Sequence, residues 1–281
     1  MAIAGESGRG MPVVADAAPR VKLLIQSGPR AGTEIPCRRV VTLLGRRPGC
    51  KVHLEHPWIA PVHVAIVNTG AEIMAVDLLT KGGTTLNDLK MEHERLSHGD
   101  VIGLDPWAFR VEIRRPRGNG HDDEHPFELE PTPPVVAYEH LDSGRILQPK
   151  RDVCIIGRRS GSDIQIKENQ VSRAHALVFA YYGYPVLFDL MSGNHSYVND
   201  DPIDYRVLQD NDIIRIGDSR FRVRFAGTIV AERAKKQSPP AKPPAALEPV
   251  EHAGDLIDIK ETEGSQRWGI AEKLEKTAPN R

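Results

Sequence analysis

Low cysteine content and the absence of long apolar runs exclude several classes of protein at once. The three cysteines, Cys37, Cys50 and Cys154, are odd in number and show no CxxC spacing, which argues against a disulfide framework and a zinc ribbon. No stretch approaches the roughly 18 apolar residues of a transmembrane helix. The first residues also lack the basic segment and apolar run of a signal peptide. We therefore expect a soluble, reduced, cytoplasmic protein that makes no membrane contact.

Charge balance and missing motifs narrow the function classes further. Lysine and arginine total 37 against 38 aspartate and glutamate residues, and no stripe of aromatic and basic residues is present, so a nucleic-acid partner is not expected. GxSxG, P-loop and paired-carboxylate patterns are absent, so we predict that the protein is not an enzyme and uses no cofactor. His53, His56 and His63 lie close together in sequence but fit no common zinc spacing, so no metal site is predicted.

Proline, glycine and charge divide the chain into two blocks with three irregular segments. The segment RPRGNGHDDEHPFELEP reads as an interdomain linker, and the Pro/Ala/Lys-rich tail cannot bury enough apolar surface to offset its chain entropy. We predict a disordered leader at 1–19, a first domain at 20–116, a flexible linker at 117–131, a second domain at 132–227 and a disordered tail at 228–281. Below, the two domains are called the first repeat and the second repeat.

Both blocks consist of short apolar runs separated by turn residues. VKLLIQ, VVTLLG and HVAIVN stand in the first block, and VCIIG, HALVFA and PVLFDL in the second. Runs of this length with Gly, Asp or Asn between them are typical of an all-β sandwich. No amphipathic helical window of useful length occurs before the last 15 residues. The fold class is therefore predicted to be all-β.

The two blocks are copies of one domain. VVTLLGRRPG in the first block matches DVCIIGRRSG in the second at an offset of 112 residues. Without a gap, the same offset carries His63 onto His175, Asp77 onto Asp189, and Asn87 onto Asn199. Self-similarity at a fixed spacing indicates a duplicated structural unit.

The motifs within the repeat resemble a known family. The second repeat contains GRRSGSDIQIKENQVSRAHALV, then DLMSGNHSYVNDDPI and LQDNDIIRIG. This order resembles the forkhead-associated (FHA) domain, in which GR is followed by SxxH and then by a loop like DLxSxNGTxVNG. The resemblance covers both repeats. It implies two tandem sandwiches of about eleven strands each, and binding of phosphothreonine peptides through loops at one end of the sandwich.

The expected ligand explains which side chains form the site. A phosphothreonine carries about −1.5 to −2 charges and strong acceptor oxygens, so its reader needs a cation, a hydroxyl and amide donors on rigid loops. The resemblance implies that Arg158 and Ser172 bind the phosphate, with Arg173 and Gly193 beside them, and that Asn194 orients the peptide backbone. The alternative is that these are an ordinary surface charge, turn hydroxyl and turn amide.

Three further residues of the second repeat are predicted to support the loops from behind. They are Gly157, His175 and Asn199. His175 resembles a ligand or a base, but the counterparts of His175 and Asn199 persist in the first repeat, where the binding set does not. Residues that are kept without the binding set are better explained as scaffold.

The first repeat is predicted to have a degenerate site. Arg46 matches Arg158, but Ala60 stands where Ser172 does, Pro61 replaces Arg173, and Gly82 replaces Asn194. The hydroxyl, the second cation and the peptide-orienting amide are therefore missing. Proline also lacks an N–H and forces the preceding residue into an extended conformation.

Three large apolar residues of the first repeat offer two interpretations. Trp58, Ile59 and Trp107 lie in or near predicted loops. Side chains of this kind either anchor a partner or pack between the two repeats. The sequence leaves both interpretations open.

The function predicted from these observations is a phosphothreonine-dependent adaptor in Ser/Thr kinase signalling, acting through the second repeat. Its partner would be a phosphothreonine-containing protein, either a Ser/Thr kinase or a kinase substrate. One hypothesis adds an intramolecular contact, in which a phosphorylated Thr262 or Thr277 of the tail occupies the site. The alternative is a phosphate-independent scaffold that uses the sandwich surfaces.

Overall fold

Every regular element in the described part of the chain is a β-strand. The computed structural model describes residues 18–27, 30–115, 136–148 and 150–225. Within these ranges each repeat contributes eleven strands, which confirms the all-β prediction. No helix of these ranges has the length and hydropathy to cross a membrane. The predicted linker and tail lie outside the described residues, as does most of the predicted leader.

The strands follow the chain in the same order in both repeats. The first repeat contains β1 (Arg20–Ile25), β2 (Glu34–Cys37), β3 (Val41–Gly45), β4 (Val52–His53), β5 (Val64–Asn68), β6 (Ile73–Asp77), β7 (Thr84–Leu86), β8 (Leu89–Met91), β9 (His93–Arg95), β10 (Val101–Leu104) and β11 (Trp107–Arg114). The second contains β12 (Val136–His140), β13 (Ile146–Leu147), β14 (Val153–Gly157), β15 (Ile164–Gln165), β16 (Ala176–Tyr181), β17 (Tyr184–Asp189), β18 (Ser196–Val198), β19 (Asp201–Ile203), β20 (Tyr205–Val207), β21 (Ile213–Ile216) and β22 (Ser219–Phe225).

Each repeat is a sandwich of a six-stranded and a five-stranded sheet. The first repeat has the orders β2-β1-β11-β10-β7-β8 and β4-β3-β5-β6-β9. The second has β13-β12-β22-β21-β18-β19 and β15-β14-β16-β17-β20, which are the same topologies. The pairs β3–β4 and β14–β15 are parallel, and the other pairs are antiparallel.

The six-stranded sheets bury one face only. In β1 the side chains of Val21, Leu23 and Ile25 point into the core of the first repeat, while the alternate side chains are more exposed. Successive residues of a strand face opposite sides of a sheet. An alternating pattern of this kind is what a sheet with one solvated face requires.

The five-stranded sheets are buried on both faces. Every residue of β3, β5 and β14 is buried. In β5, Val64 and Ile66 face the core of the first repeat, whereas Ala65 and Val67 face the second repeat. The outer faces of the two five-stranded sheets therefore form a third hydrophobic core, which the two repeats share.

The shared core is reciprocal. Six pairs of its residues are related by the offset of 112, and each pair has one member in each repeat: Val41 and Val153, Leu43 and Ile155, Ala65 and Leu177, Val67 and Phe179, Val76 and Phe188, and Leu78 and Leu190. The same patch of surface is thus used by both partners, as in the isologous interface of a two-fold dimer.

Polar contacts border the shared core. The backbone N–H of Tyr182 donates to the carbonyl oxygen of Thr69 over 2.8 Å. A guanidinium nitrogen of Arg151 lies 2.6 Å from Nδ1 of His93, and a second lies 3.8 Å from a carboxylate oxygen of Glu92. These contacts fix the rotation of one repeat against the other.

The large apolar residues of the first repeat do not pack between the repeats, so that interpretation is wrong. Ile59 is buried in the core of its own repeat, and Trp107 packs against the same core and contacts His56 edge-on. Trp58 is 76% exposed. The interface is built mainly from strand residues, which offer a flat apolar face, and residues next to the strands such as Leu78 and Leu190 complete it.

The shared core makes a quantitative prediction for the stability of the whole unit. Leu43 is fully buried in it, so Leu43→Ala should lower the free energy of unfolding by about 2–5 kcal/mol through lost burial and a residual cavity. The matched control is Leu89→Ala, because Leu89 is 75% exposed, and its effect should stay within about 0.5 kcal/mol. Urea denaturation followed by circular dichroism measures both variants. Equal small effects at the two positions would contradict a shared core.

Candidate functional site

Three loops of the second repeat meet at one end of its sandwich. One follows β14, one lies between β15 and β16, and one between β17 and β18. The backbone N–H of Arg158 donates to the carbonyl oxygen of Ser172 over 2.9 Å, and the N–H of Arg159 to that of Arg173 over 3.2 Å. A Cβ at Gly157 would collide with the Arg173 carbonyl oxygen, so only glycine allows the first two loops to approach this closely.

Arg158 and Ser172 are brought together on these paired loops. The guanidinium Nε of Arg158 donates to the carbonyl oxygen of Val171 over 3.1 Å, which anchors the exposed side chain beside Ser172. Among the described residues, nothing hydrogen-bonds to the terminal nitrogens of Arg158 or the hydroxyl of Ser172. The site therefore presents a held cation and a hydroxyl with their donors available.

The third loop is tied to the second by Asn194. Its side-chain Nδ2 donates to the carbonyl oxygen of Gln170 over 2.8 Å. One amide N–H is thus used inside the protein, which leaves the second N–H and the side-chain oxygen of this exposed residue for other contacts. Gly193 beside it is exposed, and a Cβ there would meet no atom within 4 Å. Arg173, also exposed, completes the rim.

His175 supports two of the loops from within the sandwich. Its ring is fully buried. Nδ1 accepts from the backbone N–H of Ser172 over 3.0 Å, and Nε2 lies 3.3 Å from the carbonyl oxygen of His195. Because Nδ1 must accept, the neutral ring carries its proton on Nε2 and donates it to His195. Burial lowers the pKa of His175, although the charge of Asp189 opposes this effect.

Asp189 holds the third loop in shape. Its carboxylate accepts from the backbone N–H of Ser192 over 2.7 Å, from the Ser192 hydroxyl over 2.7 Å, and from the buried Ser196 hydroxyl over 2.8 Å. The same carboxylate lies 3.8 Å from Nε2 of His175. One buried carboxylate thereby fixes the loop that carries Gly193 and Asn194.

Asn199 lies outside the loop cluster and fixes a hairpin. It adopts a left-handed backbone conformation with φ of 51° in the turn between β18 and β19. Its side chain accepts from the backbone N–H of Ile213 over 2.9 Å and donates to a carboxylate oxygen of Asp212 over 2.7 Å. These contacts clip the turn onto β21.

The first repeat reproduces this internal frame. Nε of Arg46 donates to the carbonyl oxygen of Ile59 over 3.2 Å, and the backbone N–H of Ala60 donates to Nδ1 of His63 over 3.1 Å. The carboxylate of Asp77 accepts from the hydroxyls of Thr80 over 2.8 Å and Thr84 over 2.6 Å. Burial lowers the pKa of His63 as well.

The side chains that face outward differ between the repeats. Ala60 and Pro61 occupy the positions of Ser172 and Arg173 in the loop, and neither offers a hydroxyl or a charge. Gly82 lies beside the carbonyl oxygen of Trp58, at the place of the bond between Asn194 and Gln170, but has no side chain to bridge the gap. The first repeat therefore has the frame without the hydroxyl, second cation and amide.

The histidines of the first repeat serve separate local contacts. Nε2 of His53 lies 2.9 Å from the carbonyl oxygen of Arg46, His56 packs edge-on against Trp107, and His63 is the buried frame residue. Within the described ranges, no group of three or more His, Cys, Asp or Glu residues is arranged to hold a metal ion.

Two residues that shape the site, Asp189 and Gln170, are not among the site residues predicted from the sequence. Asp189 was visible as a landmark repeated at the offset, because Asp77 occupies the same place. The hydrogen bond from Asn194 to the carbonyl oxygen of Gln170 could not be predicted, because every residue carries a backbone carbonyl.

Comparison with known proteins identifies the same two regions. The family model of the FHA domain matches residues 42–105 and 154–217. FhaA of Mycobacterium tuberculosis, an FHA domain-containing protein, is 35% identical over 83 residues, which are 30% of this chain and 16% of FhaA. The chain thus corresponds to a small part of that relative.

Two solved structures illustrate the similarity. Mycobacterium tuberculosis EmbR in complex with a low-affinity phosphopeptide is 32% identical, with 32% of this chain and 24% of that chain covered and a TM-score of 0.32. The FhaA FHA domain in complex with the intracellular domain of another protein is 34% identical, with 32% of this chain and 99% of that chain covered and a TM-score of 0.30.

The buried histidines predict acid sensitivity. The unfolded chain takes up protons near pH 6.5, whereas burial keeps His63 and His175 neutral in the folded protein at that pH. The unfolded state then binds more protons below about pH 6.5, so stability falls on acidification, by at most about 1.4 kcal/mol per pH unit for each proton. Urea denaturation at pH 8, 7, 6 and 5 measures the slope.

Two single variants provide the control for this slope. His63→Gln and His175→Gln should each flatten the dependence between pH 7 and pH 5, because glutamine does not titrate. Unchanged slopes in both variants would rule out these histidines as its cause.

Proposed function

The chain belongs to the FHA-domain family, and from that premise we propose that it is a phosphothreonine-dependent adaptor whose second repeat binds the modified peptide. The relatives described above include EmbR, solved with a phosphopeptide, and the FhaA FHA domain, solved with the intracellular domain of another protein. The observation that carries the proposal is the pairing of Arg158 and Ser172 on two loops that are locked together by backbone hydrogen bonds.

Phosphate chemistry matches the groups that the site leaves available. The terminal nitrogens of Arg158 suit a phosphate oxygen, because guanidinium–phosphate hydrogen bonds are charge-assisted and directional. The Ser172 hydroxyl supplies a second donor, and Arg173 adds charge at the rim. Gly193 is exposed, and no atom lies within 4 Å of a Cβ built there, so a ligand can approach its backbone. We assign phosphate binding to these four residues.

The frame behind them keeps the donors in place. Gly157 permits the close approach of the loops, and His175 holds the backbone of Ser172. Asn199 acts more remotely, through the hairpin that follows the third loop. We assign structural support to these three residues, and we assign to Asn194 the alignment of the peptide backbone through its side-chain oxygen. Preorganisation of this kind lowers the entropic cost of binding.

An adaptor role follows from the character of the site. A rigid set of donors on exposed loops binds a modified segment of another protein and provides no group for covalent chemistry. We infer that a Ser/Thr kinase creates the phosphothreonine, that the partner is this kinase or one of its substrates, and that the encounter takes place in the cytoplasm. The tail threonines Thr262 and Thr277 would act as tethered competitors when phosphorylated, and they lie outside the described residues.

The exposed apolar surface of the first repeat favours a second candidate. Trp58 is 76% exposed and lies in the loop that corresponds to the one carrying Gln170. A phosphate-independent scaffold would use this residue as an anchor. The comparison that separates the two functions is a phosphothreonine peptide library against its unphosphorylated twin, measured on the full chain. Equal binding of both libraries would favour the scaffold.

Arg158 should be essential for the phosphorylated ligand. Charge-assisted hydrogen bonds contribute about 1.5–3 kcal/mol, so Arg158→Ala should weaken binding by at least about tenfold, and Ser172→Ala by a similar or smaller factor. Calorimetry on the full chain, with the best peptide of the library, measures the change. The melting temperature should stay the same, because both side chains lie on the loop surface.

Arg46→Ala is the matched control. It removes an arginine from the corresponding position of the first repeat. Because Ala60 and Gly82 leave that repeat without the hydroxyl and the amide of the proposed site, the affinity should stay within about twofold of the parent chain. A loss of binding with Arg46→Ala and none with Arg158→Ala would show that the site lies in the first repeat, which would contradict the proposal.

A further inference from the structure

We propose that the first repeat positions the peptide-binding loop of the second through Arg47. This inference rests on the proposed function, and it gives a role to a repeat that lacks its own binding set. Arg47 follows Arg46, the counterpart of Arg158, in the loop after β3. A terminal guanidinium nitrogen of Arg47 donates a hydrogen bond across the interface to the backbone carbonyl of Met191.

Met191 is the residue that leads into the binding loop. Ser192, Gly193 and Asn194 follow it directly. Its backbone has φ of 55°, a left-handed conformation that residues with a Cβ adopt at a cost. Such a conformation persists only where the surroundings enforce it. This conformation contributes to the direction in which Ser192–Asn194 leave the sheet, together with the hydrogen bonds of the Asp189 carboxylate.

The first repeat contacts both the backbone carbonyl and the side chain of Met191. Its carbonyl accepts from Arg47. Its side chain packs against the shared core, and its sulfur lies where a Cβ on Gly49 would approach to 3.2 Å. Within its own repeat, the residues on either side of Met191 are held: the backbone N–H of Leu190 donates to the carbonyl oxygen of His175 over 2.9 Å, and that of Ser192 donates to Asp189. The first repeat adds the contacts to the carbonyl and the side chain of Met191 itself.

The second repeat makes the corresponding packing contact with the first repeat, at Leu79. Leu79, the counterpart of Met191, has φ of 60° and lies where a Cβ on Gly161 would approach to 3.3 Å. It leads into Thr80, Lys81 and Gly82, a loop without the peptide-orienting amide. The packing contact thus recurs in both directions, whereas the arginine hydrogen bond is found on the side of Met191.

The test compares neighbouring arginines in the full chain. Arg47→Ala should weaken the binding of the best library phosphothreonine peptide by about three- to tenfold. It should also shift the amide resonances of Ser192, Gly193 and Asn194 before any peptide is added. Arg46→Ala removes an equal charge from the same loop, but the side chain of Arg46 bonds to Ile59 of its own repeat, so it should change neither quantity.

A conservative variant separates positioning from general stability. Arg47→Lys keeps the charge and one donor, so it should recover part of the affinity, and the melting temperature of all three variants should match the parent. Gly49→Ala presses on the Met191 sulfur and also strains its own turn, because Gly49 has φ of 105°, so it should shift the same loop resonances. It provides a second measurement if Arg47→Ala does not fold.

Three results would overturn the proposal: unchanged loop resonances in both Arg47→Ala and Gly49→Ala, unchanged affinity with Arg47→Ala, or an equal loss of affinity with Arg46→Ala. The last would indicate electrostatic attraction by the first repeat in place of positioning. If no peptide binds the parent chain, the proposed function fails, and the resonances of the peptide-free chain still decide whether Arg47 holds the loop.

Discussion

The packing of the two five-stranded sheets against each other is the constraint on which the rest of the structure depends. It buries the outer faces of both sheets in one core, so the two sandwiches are layers of a single compact unit. Because burial of apolar surface is the main favourable contribution to folding, neither repeat could expose this face to water without a large loss. The orientation of the binding loops is consequently set by both repeats together.

The two repeats show how one frame can carry different outer side chains. The buried His and Asp pairs, His63 with Asp77 and His175 with Asp189, make equivalent hydrogen bonds to their loops. These contacts satisfy buried polar groups, and their loss would leave donors and acceptors unpaired in the interior. The outward positions carry no such penalty. Substitutions such as Ala60 for the serine of the second repeat are therefore tolerated by the fold.

The interface also places the first repeat next to the candidate site of the second. Its surface loop meets the loop of the second repeat beside the site, through Arg47 and Gly49. Under our proposal, a repeat without this set of side chains still shapes the loop of its neighbour, because the contact is close to the candidate site. The reciprocal geometry follows from the duplication, since like faces pack on like faces.

Local patterns in the sequence determined the fold class, the duplication and the identity of the loop residues around Arg158 and Ser172. Alternating and continuous apolar runs specify strands, and the repeat offset aligns the motifs without any knowledge of the third dimension. The nearly continuous apolar runs VTLLG and VCIIG are typical of strands that are covered on both sides. The sequence does not say what covers them. Tertiary structure alone decides that the sheet of the other repeat covers them. It also decides the hydrogen bond from the Asn194 amide to Gln170 and the contact of Arg47 with Met191. Each joins residues far apart in the chain through surfaces or backbone groups that carry no residue-specific pattern.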